Sequence, residues 1–150
     1  MSSYVGAELR RLVRERAVRL CEYCLIQEED TFFGCQVDHV TSEKHGGLTE
    51  SNNLAFACAF CNRNKGTDLG SIASVTGQLT RFFNPREDRW SDHFRIDGPL
   101  IVSRTAIGEV TIKILGFNSK ERVLERSALV QINRYPSEAA LRLADDRGAS

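Results

Sequence analysis

The sequence lacks net charge: 20 Lys and Arg residues balance 20 Asp and Glu, and the pI is near 6.8. That excludes a basic packaging protein held to a polyanion by bulk charge, so any polyanion binding is local. Proline is scarce, with three residues, and there is one Trp and one Met. With 41% hydrophobic and 27% charged residues, neither a low-complexity nor a disordered chain is expected. No apolar run approaches the roughly 20 residues a membrane-spanning helix needs. The Arg-rich start, Met1 to Leu20, has no signal-peptide core, so a cytoplasmic protein is expected and no membrane partner. Internal repeats are missing. So is an even set of cysteines: there are five, at Cys21, Cys24, Cys35, Cys58 and Cys61, and four of them form two C-x-x-C pairs. An odd number in that arrangement fits a disulfide framework poorly and points to metal.

What is present is 150 residues, enough for one domain but not two large ones. Apolar residues from Val5 to Leu20 recur at three- and four-residue intervals with arginines opposite, which predicts an amphipathic helix running into Cys21. Short strands are expected at Cys35 to Val40 and Leu54 to Ala57, with a Gly46-Gly47 loop between them and a helix from near Cys58. Asn84-Pro85 marks a turn. Beyond it lie Pro99 to Val102, an Ile107 to Leu115 stretch that fits helix or strand alike, and a helix from after Ser119 to before Pro136. Charge is uneven: residues 1–20 carry +3, residues 21–66 carry −4 and the remainder +1.

Cys21/Cys24 and Cys58/Cys61 can place four thiolates around one ion, the ligand set of a closed structural zinc site. The 33 residues between the pairs exceed the usual zinc-ribbon spacing, so the ion would clamp a longer excursion with its own structure. Cys35, without a partner, reads as a small hydrophobe on a strand. Within the excursion Asp38-His39 ends the first strand, Asn53-Leu54 begins the second, and Asn62 and Lys65 follow Cys61. On a helix Asn62 is rotated about 100° from Cys61 and shares a second face with Lys65. One short helix could thus support a structural ion on one side and chemistry on the other.

The run C-E-Y-C, V-D-H-V, H-G-G and N-N-L-A-F-A-C-A-F-C-N-R-N-K, from Cys21 to about Gly66, resembles the HNH endonucleases, in the branch braced by a four-cysteine zinc site. The resemblance implies an α+β protein with a ββα-metal (HNH, His-Me finger) core. Residues 1–70 would be the nuclease domain with its N-terminal helix and zinc, and 71–150 a C-terminal α/β extension packed on it. It implies an endonuclease hydrolysing phosphodiester bonds, with DNA as the expected partner and 5′-phosphate and 3′-hydroxyl products. Asp38 becomes a ligand of the catalytic divalent ion and His39 the general base. Asn53 braces the loop and orients the histidine, Asn62 takes the last metal position, and Lys65 faces the substrate phosphate. Thr41 stands where proline is frequent in the family, and Asn62 where many members have histidine.

The chemistry agrees. A histidine suits water activation at neutral pH, a divalent ion suits the leaving oxygen, and Asp and Asn oxygens suit Mg²⁺ or Mn²⁺ better than zinc. Arg63 reads as a solvated helix residue able to reach a backbone phosphate, and His45 as a loop residue. Arg10, Arg11, Arg14, Arg16 and Arg19, or Arg81, Arg86, Arg89 and Arg95, are the further candidates for phosphate contacts. The aromatics from Phe82 to Phe94 read as packing, with a nucleic-acid surface as the other possibility. His93 is a second-site candidate. Two alternatives to the enzyme stand: a non-catalytic zinc-stabilised nucleic-acid-binding module, and a zinc domain for protein interaction.

Overall fold

The computed structural model describes residues 4–145. Helix α1 (Ala7–Arg16) lays Val13 against Leu54 and Phe56, with Arg14 and Arg16 in its last turn where cations favour the helix dipole. It is shorter than its periodicity predicts, because Val18 and Arg19 adopt left-handed φ values of 49° and 58° and turn the chain. Leu20 then bridges Gln27, so Cys21 to Ile26 is a tight knuckle and not a helical continuation.

Strands β1 (Cys35–His39) and β2 (Leu54–Cys58) pair antiparallel, Cys35 opposite Cys58 and His39 opposite Leu54. Helix α2 (Ala59–Lys65) follows β2 directly and returns along β1. This is the expected ββα unit. Its connecting loop is held tight at Gly47, where an added Cβ would sit 1.7 Å from the Thr41 carbonyl oxygen. Gly46 has φ 88°, a conformation that glycine adopts without steric cost.

Two further hairpins follow, β3 (Gly70–Ile72) with β4 (Leu79–Arg81), and β5 (Phe94–Asp97) with β6 (Leu100–Ser103). The short helix α3 (Trp90–His93) lies between them. The ambiguous stretch is helix α4 (Ala106–Leu115), opened by Thr105, whose hydroxyl accepts the Gly108 N–H, and closed by left-handed Gly116. Helix α5 (Lys120–Gln131) stops three residues short of Arg134, and α6 (Glu138–Ala144) ends the described chain. No helix among the described residues is long and apolar enough to cross a membrane.

One apolar cluster takes in Tyr23, Leu25 and Ala57 from the first part and Phe83, Trp90, Phe94, Leu115, Phe117 and Tyr135 from the second. Phe82 and Phe83 are buried, and the indole N–H of Trp90 donates to the Tyr23 carbonyl at 2.8 Å. These aromatics are therefore core, as the packing account expects, and they tie the knuckle to the extension.

Candidate metal centre and catalytic cleft

The knuckle supplies Cys21 and Cys24, and the junction of β2 and α2 supplies Cys58 and Cys61. All four sulfurs are buried and lie within 4.8 Å of one another. Cys24 Sγ and Cys58 Sγ are 3.8 Å apart, and a tetrahedron of 2.3 Å Zn–S bonds has an edge of about 3.8 Å, so the residues fit zinc. Burial, reinforced by hydrogen bonds among the four, pushes the Cys21 thiol up. Burial also pushes up Cys24, but hydrogen bonds from the other three cysteines and the charge of Arg122 outweigh it and hold Cys24 well below the thiol range. Cys35 lies half-buried on β1 and packs both against the main apolar cluster and against the group of Val13, Leu54 and Phe56.

Arg122 has no counterpart in the sequence reading. It comes from α5, is 1% exposed, and donates to Cys24 Sγ at 3.1 Å, Cys58 Sγ at 3.5 Å and Cys61 Sγ at 3.7 Å. Its guanidinium also meets Glu125 and lies 4.9 Å from the centre of the Phe60 ring. Four thiolates around a divalent zinc carry two negative charges, and a forked cation beneath three sulfurs is what a buried anionic cluster requires.

On the other face of α2 the side chains meet β1 in order. The Asn62 amide N–H donates to Gln36 Oε1, and Lys65 Nζ lies 3.0 Å from Asp38 Oδ2 and donates to the His39 carbonyl at 2.9 Å. Asp38, His39 and Asn62 line one cleft of about 460 Å³, together with Glu43. Asp38 is 7% exposed, and its Oδ2 also accepts the Tyr23 hydroxyl at 3.3 Å, so the knuckle that carries the cysteines touches the carboxylate. Burial pushes the Asp38 carboxyl up while Lys65 and then Tyr23 pull it down, with the rise prevailing. Burial and then the charge of Asp38 hold the Tyr23 phenol up, so it remains a donor.

His39 Nε2 is 2.9 Å from Thr49 Oγ1 and 3.7 Å from Glu43 Oε1. Asn53 clasps the loop: Oδ1 accepts the Thr41 N–H, and Nδ2 donates to the carbonyls of Thr41 and Leu48, each at 2.9 Å.

One placement differs from expectation. Lys65 does not face solvent or a substrate phosphate: it is 2% exposed, with its ammonium on Asp38 and a backbone carbonyl. A buried lysine needs a counter-charge, and Asp38 is the one at hand. Arg63 is exposed, 5.3 Å from the Phe60 ring centre. Of the other arginines, Arg14 pairs with Glu28, Arg81 with Asp88 and Arg86 with Glu22, and Arg16 donates to the Ser51 and Leu54 carbonyls. Arg11, Arg89 and Arg95 are exposed. His93 contacts Thr105 at 2.7 Å in the extension, away from the cleft residues. Glu43, Thr49 and Tyr23 have no counterpart in the sequence reading: Glu43 and Thr49 reach His39 because the loop after β1 folds back over the strand end.

Residues 21–68 match the family model described as HNH endonuclease. No curated protein and no solved structure matches the chain.

Proposed function

We propose that this chain, which carries an HNH endonuclease region at residues 21–68, is a divalent-metal-dependent endonuclease cutting DNA, with residues 71–150 as an extension of a nuclease domain at 1–70. The observation that carries this reading is the convergence of Asp38, His39 and Asn62 on one cleft of a ββα unit whose base is a four-cysteine cluster. The cleft's donors fit a hard cation. Lys65 and Tyr23 both occupy Oδ2 of Asp38, and the Asn62 N–H is committed to Gln36, which leaves Asn62's carbonyl oxygen as its ligand atom. A Mg²⁺ or Mn²⁺ ion held by Asp38 and Asn62 would neutralise charge on the leaving oxygen.

In the proposed mechanism, the chain's own residues handle the proton. The mechanism uses the tautomer protonated at Nε2, which lies 2.9 Å from Thr49 Oγ1 with the Glu43 carboxylate nearby, so that His39 presents the lone pair of Nδ1 to a water. His39 takes one proton as the water oxygen bonds to phosphorus and the P–O3′ bond breaks. The departing O3′ is protonated from solvent, leaving a 3′-hydroxyl and a 5′-phosphate. Asn53 holds the loop that carries Glu43 and Thr49 against the ring, and Lys65 and Tyr23 fix Asp38. Supercoiled plasmid incubated with and without Mg²⁺ or Mn²⁺ tests this. Nicking that requires the divalent ion is expected. Binding without cleavage in either ion would favour the non-catalytic module instead.

A further inference from the structure

Lys65 and Asn62 carry the face on which α2 meets β1, Lys65 touching Asp38 and His39 and Asn62 touching Gln36. At the start of the same helix, on a different side, Phe60 meets Phe33 in the turn before β1, with ring centres 6.1 Å apart. Phe33 in turn meets Phe32 edge to face at 4.8 Å. Phe32 is 85% exposed and Phe33 64%, whereas Phe82, Phe83 and Phe94 are all buried. Two adjacent phenylalanines held against a third and left in water have forgone the burial that this fold gives its other aromatics. Arg63, one turn from Phe60 on α2, brings an exposed cation to the same place. The acids nearest in sequence are already matched, Glu28 by Arg14 and Glu29 and Asp30 by Arg134. Five residues of chain separate Phe33, in the turn before β1, from Asp38 on the strand, so the two lie at most about 18 Å apart, a distance a few nucleotides of one strand can cover.

We propose that Phe32 and Phe33, backed by Phe60 and Arg63, form a stacking platform for unpaired bases of the nucleic-acid strand whose phosphate enters the Asp38, His39 and Asn62 cleft. This rests on the nuclease reading and adds the substrate class: a strand unpaired a few nucleotides to one side of the cut. Exposed rings stack on any base, while Arg63 meets the backbone between platform and cleft. A fully paired duplex keeps its bases in its own stack and cannot use the rings.

The test is fluorescence anisotropy of the full chain in the His39→Ala background with Mg²⁺, on a labelled single-stranded oligonucleotide and on the blunt duplex of the same sequence. Stacking contributes about five- to 150-fold per base. Phe32→Ala/Phe33→Ala is therefore expected to lose tenfold or more on the single strand and less than twofold on the duplex, and Phe33→Trp to bind the single strand at least as well as the parent. An equal loss on both ligands, or no loss on either, overturns the platform. So does a parent that elutes as a dimer and a double variant that elutes as a monomer, since the rings would then cover a second copy. If the parent binds neither ligand, the nuclease reading fails first.

Discussion

Replacing Arg122 separates a residue that merely fills space from one that holds the metal centre. The guanidinium donates to three of the four sulfurs from an almost fully buried position, and removing a hydrogen-bond partner behind metal ligands typically costs about 10–100-fold in metal affinity. That corresponds to about 1.4–2.7 kcal/mol of zinc-dependent stability, because binding to the folded state alone adds directly to its stability. Arg122→Met keeps most of the stem's volume and removes charge and donors. Arg122→Lys keeps the charge but not the fork, and is expected to fall between Met and the parent. Each variant is paired with Glu125→Gln, so that a carboxylate left without Arg122 is not mistaken for an effect on the sulfurs. Zinc transfer to a chelating dye reads the affinity, and thermal melts in limiting and excess zinc read the linkage. The expected result is a 10–100-fold weaker site whose lost stability returns in excess zinc. Unchanged zinc affinity with a lowered, zinc-insensitive melting temperature would show that Arg122 only packs.

Lys65→Met leaves the buried Asp38 carboxylate without its cation and is expected to cost about 3–5 kcal/mol in denaturant titration; a loss below about 1 kcal/mol would contradict the pairing. Asp38→Ala is expected to raise the divalent-ion concentration needed for half-maximal cleavage, and an unchanged metal titration would remove Asp38 from the ligand set. Burial raises the Asp88 carboxyl, but hydrogen bonds from Arg81, the Asn84 N–H and the Arg81 charge outweigh it and hold it below its ordinary value. A carboxyl lowered in the folded state contributes stability above its unfolded value that is lost as pH falls through the folded one. Asp88→Asn is therefore expected to flatten the acid limb of melting temperature against pH, and an unaltered limb would contradict this. Charge reversal at Arg11 and Arg95 is expected to lower the log–log salt slope of duplex binding by about 0.9 for each phosphate no longer neutralised, across all sequences alike; weakening confined to one sequence would indicate base readout.

The ββα unit and its two faces were legible because their signals are local. Asp38-His39 at a strand end, the Cys58/Cys61 pair and Asn62 one residue past Cys61 lie within elements of five to seven residues, and the Cys21/Cys24 pair lies within one short turn. Arg122 was not legible for the opposite reason. Its sulfur partners are 61 to 98 residues away, and the fully buried positions of α5 are Arg122 and Arg126, which a polarity pattern assigns to the solvated side. Lys65 was misplaced by the same logic, since a helix-end lysine ordinarily points to water and nothing local announces the carboxylate that draws it in. The later hairpins have strands of three or four residues, too short for alternation to stand out, and Ile107 to Leu115 fits either period. Tertiary packing settled that stretch: Val110, Thr111 and Leu115 are buried along one helical face.

The proposed function turns on His39 as the base of a metal-dependent phosphodiester hydrolysis. Single-turnover cleavage of a plasmid in saturating Mg²⁺, comparing the parent with zinc-replete His39→Ala, tests it most directly. The expected rate is lower by about 10²–10⁴-fold, with zinc content and melting temperature unchanged. A His39→Ala protein that cuts at the parent's rate would contradict it.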